Sequence, residues 1–385
     1  MNIGIFTDTY YPHVNGVATS IKMLEEQLRK RGHNVYIFTT SNPLVKEPNS
    51  NVFRLPSMPF VFLPTYRIAF FYSPKLLFKM KKFNLDIIHT QTEFSIGIFG
   101  KIASEFLKIP VVHTYHTMYE DYVHYIAKGH LISPKMAQRF SRIFCNRAKI
   151  VIAPTQKTKD SLLNYGVKRP IEIVPTGITL EKFLKDADNN QISAIKNELH
   201  INQNDFVILF LGRVAKEKSI DVLISQMPDI LNKISNAKLL IVGDGPYVNV
   251  LKNLADELKV SNSIIFSGQV AWENINLYYK LADVFVTAST SETQGLTYIE
   301  AMASKIPVIA KNDGSIKNLI EDKKNGYVFD NPNELPNIIA KIKNNTDEKL
   351  KIIDCAIDKI KDLSAEKFAE SVEKIYLSLI KHDVR

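Results

Sequence analysis

Two carboxylates eight positions apart, Glu292 and Glu300, bracket a glycine in the segment Ser289-Thr-Ser-Glu-Thr-Gln-Gly-Leu-Thr-Tyr-Ile-Glu-Ala-Met-Ala303. An apolar run precedes this segment and a helical pattern closes it. Gln294, Gly295 and Leu296 fall where the helix begins. A helix N-terminus offers unpaired N–H groups and partial positive charge, which suit a diphosphate. Gly295 lets backbone approach a ligand closely. Glu300, one turn in, is placed to accept from a ribose diol, and Glu292, in the loop, from a sugar hydroxyl. A solvent-exposed acidic loop with a dipole-favoured glutamate competes evenly with that reading.

A second constellation follows another apolar run: Phe210-Leu-Gly-Arg-Val-Ala-Lys-Glu-Lys218. Arg213 and Lys218 past a strand end would neutralise a departing pyrophosphate. A solvated basic loop is the competing reading. Two glycine turns are weaker signals, since most such turns are only turns. Val242-Gly-Asp-Gly-Pro246 brings Gly243 to another strand end, and Asn15-Gly16 opens the first helix. His116 lies just past a strand in Val112-His-Thr-Tyr-His-Thr-Met118. With His113 it makes two histidines in four residues, but no third ligand is at hand, so no metal site is expected. A hydrogen-bonding role suits His116, and a structural one His113.

These residues need strands to present them. Apolar runs at 3–6, 35–38, 87–89, 110–113, 150–153 and 171–174 alternate with helical patterns such as 18–30. The rhythm repeats with runs at 206–211, 238–242, 264–266, 284–287 and 307–310. Such alternation predicts βαβ units and parallel sheets. The stretch 177–204, with Asp186, Asp188, Asn189 and Asn190, reads as a linker. The expected fold is therefore α/β, with two Rossmann-like domains facing each other across a cleft. Their boundaries fall at 1–180 and 190–364; that the helix at 365–385 packs back on the first is expected from this two-domain architecture and not from its own periodicity. Ligands of such sheets bind at the carboxyl ends of the strands.

A length of 385 residues supports two cores, and 45% hydrophobic with 23% charged residues excludes a disordered chain. The net charge of +9 is uneven: residues 1–180 hold 23 Lys+Arg against 11 Asp+Glu, leaving 26 against 29 in the rest. A basic first half predicts an anionic partner there, a membrane surface or a nucleic acid. No nucleic-acid module is recognisable, so no nucleic acid is expected. Two cysteines, Cys145 and Cys355, in no CxxC pattern exclude a disulfide framework and a zinc site. The first apolar run ends at Asp8, too early for a secretory leader, and no run reaches the roughly 20 apolar residues of a spanning helix. A membrane contact would then be peripheral, from the cytosolic side. No GxGxxG follows the first strand, which argues against a nicotinamide-dependent dehydrogenase.

Together these motifs resemble family four of the retaining GT-B glycosyltransferases, in order and over essentially the whole chain. The resemblance implies roles. Glu292 is similar to the sugar-contacting acid and Glu300 to the ribose ligand. Arg213 and Lys218 resemble the pair that stabilises the leaving diphosphate, and His116 the histidine near the transferred sugar. The backbone at Val270 would contact the base. The charge comes from protein groups, so no metal cofactor is implied. Much of the family has Phe where this chain has Gln294. Glu292-Thr-Gln-Gly-Leu296, Tyr115-His-Thr-Met-Tyr-Glu-Asp-Tyr-Val-His-Tyr125 and Pro175-Thr-Gly-Ile178 are similar to the lipid-glycosylating subgroup. The nearest resemblance is to bacterial diacylglycerol glucosyltransferases, which implies UDP-glucose as donor and the 3-hydroxyl of diacylglycerol as acceptor. Another acceptor on the same fold, or a non-catalytic nucleotide-sugar-binding protein, are the alternatives. The presence of all four charged site residues disfavours the last.

Two basic amphipathic segments fit a lipid acceptor. Lys75, Lys79 and Lys82 recur beside Leu76, Met80 and Phe83, and Lys135, Arg139 and Arg142 beside Met136, Phe140 and Ile143. Helices of this kind dock on anionic bilayers, although any surface helix needs an apolar core face. Residues 58–63 add an apolar loop. The expected location is the cytoplasmic face of the cell membrane.

Overall fold

The structure, a computed structural model, describes residues 1–13, 15–45, 50–60, 63–69, 73–120 and 133–382. The chain divides into two compact units, Met1–Gly177 with Ala365–Arg385, and Ile178–Ser364. Each is Rossmann-like.

The first unit runs β1 (Asn2–Phe6), α1 (Gly16–Lys30), β2 (Asn34–Thr40), β3 (Val52–Leu55), β4 (Ser57–Phe60), β5 (Leu63–Ala69) and α2 (Pro74–Met80). It continues with β6 (Ile87–Thr90), α3 (Ser95–Leu107), β7 (Val111–Thr114), α4 (Pro134–Cys145), β8 (Ile150–Ala153), α5 (Gln156–Asn164) and β9 (Ile171–Ile173). Seven of these strands form a parallel sheet in the order β3-β2-β1-β6-β7-β8-β9. Alternation along each strand assigns residues to opposite faces. Phe6, Phe38, Val111 and Val151 enter one core, while Ile5, Ile37, Val112 and Ile152 enter the other.

The second unit runs α6 (Leu180–Leu184), α7 (Asn189–Glu198), β10 (Phe206–Leu211), α8 (Ile220–Lys233), β11 (Ala237–Val242), α9 (Val248–Glu257), β12 (Ile264–Gly268) and α10 (Ile275–Lys280). Then come β13 (Val284–Thr287), α11 (Leu296–Ala303), β14 (Val308–Lys311), β15 (Tyr327–Phe329), α12 (Leu335–Asn344) and α13 (Thr346–Ile360). Its parallel sheet has the order β12-β11-β10-β13-β14-β15. The runs Phe-Val-Ile-Leu-Phe-Leu of β10 and Val-Phe-Val-Thr of β13 are apolar on both faces because helices cover both.

The region read as a linker is folded into the second unit. Leu180 and Phe183 are buried, and α6 packs on α11. The acidic and amide residues around 188 start a helix: the Asp188 side chain accepts from the Asn190 N–H at 2.9 Å and caps α7. Short β3, β15 and the antiparallel β4–β5 hairpin also lay outside the sequence reading. That hairpin occupies the expected apolar loop. Met58 is exposed there, whereas Val61 and Phe62 lie outside the described residues.

The last helix, α14 (Ala365–His382), belongs to the first unit. Phe368, Ala369, Val372 and Tyr376 are buried with Ile21, Leu24 and Leu28 of α1. Glu373 completes the contact, pairing with Arg31 and with His33 Nε2 at 2.6 Å. Val372→Asp therefore places an unpaired charge in a fully buried site and is expected to destabilise the first unit by about 4 kcal/mol or more. Urea unfolding followed by circular dichroism tests this. A midpoint equal to wild type would remove α14 from the core.

Candidate active site

In the second sheet the chain turns from β10 towards β11 and β12 on one side, and places β13, β14 and β15 on the other. The β10–β13 boundary is therefore the topological switch point, where open α/β sheets bind ligands. The loops after these two strands carry the charged residues singled out above.

After β10, residues 212–215 lead into a turn of 3-10 helix, Lys216–Lys218, and Ser219 (φ 50°) starts α8. After β13, residues 288–295 lead into α11. The two loops are joined. Lys218 Nζ lies 2.5 Å from Glu292 Oε1, and Ser291 Oγ donates to the Glu217 carbonyl at 3.2 Å. Arg213 pairs with Glu217, a carboxylate that motif reading passed over. The cations are thus held by carboxylates, and a diphosphate entering here would share them. No side chain caps α8 or α11. Their N–H groups contribute the positive end of the dipole on both sides of the boundary.

Gly243 and Gly245 have a structural part. The Gly212 N–H donates to the Val242 carbonyl, and the Val214 N–H to that of Asp244. A Cβ on residue 243 would lie 1.9 Å from the Gly212 carbonyl oxygen, and one on residue 245 would lie 2.2 Å from that of Val214. These glycines allow the 243–245 turn to brace the loop carrying Arg213. Gly295 is likewise demanded locally: φ is +74° and a Cβ would press into the Tyr298 ring at 2.3 Å. Gln294 beside it is buried, and Leu296 is the first residue of α11.

Glu300 is buried on α11 and accepts from the Tyr279 hydroxyl at 2.8 Å. Burial raises its carboxyl to about 6 against that hydrogen bond and the nearby Lys182 charge, both of which favour ionisation. The Lys182 ammonium sits 3.2 Å from the Trp272 ring centroid, and burial lowers it to about 8. Val270 lies two residues before Trp272, half-buried, just past β12. Tyr279 and Lys182 gave no motif signal.

In the first unit the switch point lies between β1 and β6. Asp8, past β1, accepts from Thr92 Oγ1 at 2.6 Å, Ser95 Oγ at 2.5 Å and the Ile96 N–H at 2.9 Å. It thereby caps α3, and burial nonetheless raises its pKa. The Asn15 side chain accepts from the Ala18 N–H at 2.8 Å, so the expected anion-facing terminus at Asn15-Gly16 is already capped. His116 Nε2 lies 2.6 Å from Gln91 Oε1, and Gln91 Nε2 lies 3.1 Å from His89 Nδ1. His89 Nδ1 also meets the Tyr376 hydroxyl at 2.6 Å, which extends the chain to α14. Burial, then His113, lowers His116 to about 3, so it is neutral near pH 7 and acts as a hydrogen-bonding group. His113 is fully buried between Thr90 and Glu93, and Tyr119 donates to the same Glu93. A polar run, His89-Thr-Gln-Thr-Glu93, at the end of an apolar strand was the available signal for this network.

The two basic segments part company. Leu76, Met80 and Phe83 pack into the core, and Lys82 lies in the 3-10 turn Lys81–Phe83 rather than on α2. Lys75 and Lys79 are exposed, with Lys79 over the Phe53 ring. The apolar stripe expected there for docking is therefore core. On α4 the apolar residues expected to dock are on the outside. Met136, Phe140 and Ile143 are exposed along with Lys135, Arg139 and Arg142, while Ala137, Ser141, Phe144 and Cys145 face inward. Among the described residues no helix is long and apolar enough to cross a membrane. Residues 121–125 of the lipid-subgroup motif lie outside the described residues.

The Glu300 carboxyl binds its proton more tightly in the folded than in the unfolded chain. It therefore disfavours folding above about pH 6, and that cost vanishes below the ordinary carboxylate range. Glu300→Gln is expected to raise stability by about 1–2 kcal/mol at pH 7.5 and by nothing at pH 4. Thermal melts at both values check the sign. An equal effect at both would uncouple Glu300 from titration.

The family described as Glycosyl transferases group 1 matches residues 191–358, and Glycosyltransferase Family 4 matches residues 14–182. The chain is 42% identical to the alpha-monoglucosyldiacylglycerol synthase of Streptococcus pneumoniae, over 99% of this chain and 86% of that protein. It is 36% identical to the protein of the same name from Acholeplasma laidlawii, over 99% of this chain and 98% of the other. Among solved structures, Anabaena HepE in complex with UDP and glucose superposes with a TM-score of 0.80 at 20% identity, covering 98% of this chain and all of that one. Sucrose-phosphate synthase from Thermosynechococcus elongatus gives 0.76 at 21% identity, over 99% of each chain. Two parallel-sheet Rossmann-like units and full-length similarity at these levels place the chain in the group 1 glycosyltransferase family, enzymes of the GT-B type.

Proposed function

We propose that this enzyme transfers glucose, with retention, from UDP-glucose to the 3-hydroxyl of diacylglycerol at the cytoplasmic face of the cell membrane. The observation that carries the reading is the near full-length similarity to two proteins from different organisms that bear the same name, alpha-monoglucosyldiacylglycerol synthase. The exposed cationic and apolar face of α4 supports a lipid surface as the place of reaction.

In this reading Arg213, Lys218 and the α11 N-terminus receive the diphosphate, with Gln294, Gly295 and Leu296 at that terminus and Gly243 bracing the loop. Glu300 accepts from the ribose, the backbone at Val270 meets the base, and Glu292 holds a sugar hydroxyl. Neutral His116 is the first unit's group for a hydrogen bond to a sugar hydroxyl. The bond from the sugar's anomeric carbon to the phosphate oxygen breaks as the acceptor oxygen attacks from the same face. The acceptor proton passes to the leaving phosphate, giving UDP and monoglucosyldiacylglycerol. Protein cations meet the diphosphate charge, so the reaction needs no metal.

Transfer from radiolabelled UDP-glucose to diacylglycerol in mixed vesicles tests the reading. A labelled glycolipid is the expected product, formed faster when anionic lipid is present. Lys218→Ala and Glu292→Ala are each expected to lower transfer by about 100-fold or more in folded protein. No product with wild type, despite UDP binding, would discard this donor–acceptor pair. Near-normal activity in either variant would remove the donor-site assignment.

Neutralising Lys135, Arg139 and Arg142 together is expected to weaken sedimentation with anionic vesicles by about 100-fold, at roughly 1 kcal/mol per basic residue. UDP affinity should not change. Unchanged sedimentation would remove α4 from the membrane surface.

A further inference from the structure

A hydrogen-bonded chain of side chains runs from the last helix to the candidate active site. The Tyr376 hydroxyl on α14 lies 2.6 Å from His89 Nδ1, on β6. His89 Nε2 lies 2.7 Å from Thr114 Oγ1, at the end of β7. Gln91 Nε2 lies 3.1 Å from the same Nδ1, and Gln91 Oε1 lies 2.6 Å from His116 Nε2. Distances do not orient the protons; the balance of donors and acceptors does.

The direction is set at Tyr376. Burial holds its phenol well above the ordinary range, so it keeps its proton. Among the described residues the hydroxyl has no hydrogen-bond partner but His89 Nδ1. A buried donor without an acceptor costs its full desolvation, so the phenol donates to Nδ1. Burial, then the His113 and His116 charges, keeps His89 neutral. Its single proton therefore sits on Nε2 and is donated to Thr114 Oγ1. The Nδ1 lone pair would repel the Gln91 oxygen, so Gln91 turns its amide nitrogen to His89 and its oxygen to His116. That oxygen only accepts, so His116 Nε2 carries a proton. Because His116 is neutral near pH 7, chiefly through burial, Nδ1 is its accepting nitrogen. The reverse direction would pair every other group equally well but strand the phenol proton.

We infer that Tyr376 is a positioning residue for the transfer: through His89 and Gln91 it holds His116 with the proton on Nε2 and the accepting lone pair on Nδ1. A group that meets Nδ1 must then donate to it. In the reaction proposed above that group is a sugar hydroxyl. The effect on transfer rests on that reading, whereas the tautomer stands without it. Phenylalanine at 376 would fill the same space on α14 and lose only the donor.

Nitrogen NMR of the full chain carrying isotope-labelled histidine reads the tautomer, with the His116 signals identified by their loss in His116→Gln. Wild type is expected to show His116 protonated at Nε2 alone. In Tyr376→Phe the chain can run in either direction, so both tautomers should appear. Glucose transfer to diacylglycerol should then fall about tenfold, as for one misdirected hydrogen bond. Gln91→Leu cuts the chain beside His116, and adding Tyr376→Phe to it should lower transfer no further, since both act along one path. Val372→Ala loosens the packing of α14 on α1 without touching the chain. It should lower the melting temperature and leave the His116 signals as in wild type. His116 protonated at Nδ1 in wild type, or unmoved by Tyr376→Phe, overturns the inference. So does a mixed tautomer in Val372→Ala, or losses that add in the double variant, either of which makes Tyr376 a packing residue only. If Gln91→Leu does not fold, the Tyr376→Phe spectrum decides. Wild type that makes no glycolipid sinks the proposed reaction, and the same spectra still decide the tautomer.

Discussion

The second unit depends on two stretches of backbone that touch with no side chain between them. Residues 212–214 lie against 243–245, hydrogen-bonded at both ends, with glycine where any Cβ would meet a carbonyl oxygen. That contact extends the β10–β11 pairing past the sheet edge. It sets the direction in which the chain leaves β10, and so the position of Arg213, of Lys218 and of the start of α8. Glu292 then meets Lys218 from the far side of the switch point. The geometry of the charged cluster is therefore inherited from a main-chain contact, and a side chain at 243 would displace the loop that carries Arg213.

Much of this was legible in the sequence, for a physical reason. Parallel strands covered on both faces are written as short apolar runs, and runs such as 206–211 and 284–287 have few other interpretations. Three-residue β15 and four-residue β3 lack the length to stand out, and the Asp188 cap of α7 uses the same residue types as a linker. In the site, motif reading found the charged residues but not their pairing. Lys218 and Glu292 are 74 positions apart, and Glu217 hid among surface-like charges. The chain Tyr376–His89–Gln91–His116 joins three remote segments, which no local pattern encodes.

The basic segments show where pattern ends and packing begins. Residues 75–83 and 135–143 carry similar alternations of cation and apolar side chain. In the first, the apolar residues are the core face. The second has apolar residues at 136, 137, 140, 143 and 144, more than one stripe can bury. Ala137 and Phe144 go inside, and Met136, Phe140 and Ile143 are left exposed. The width of the apolar arc separated them, rather than its presence.

The path of the chain has a consequence for how the enzyme is made. The first unit is interrupted: its sheet is spelled by the first 177 residues, but α14 comes only after Ser364. The outgoing and returning segments meet where the Ile178 N–H donates to the Leu363 carbonyl, beside the Ile178–Ser364 bridge. On the ribosome the surface of α1 that receives Phe368, Val372 and Tyr376 therefore stays uncovered while the whole second unit is synthesised. Translation order thus makes the early-emerging half the last to finish. His116, which hangs from α14 through Gln91 and His89, takes its final setting only with the closing helix.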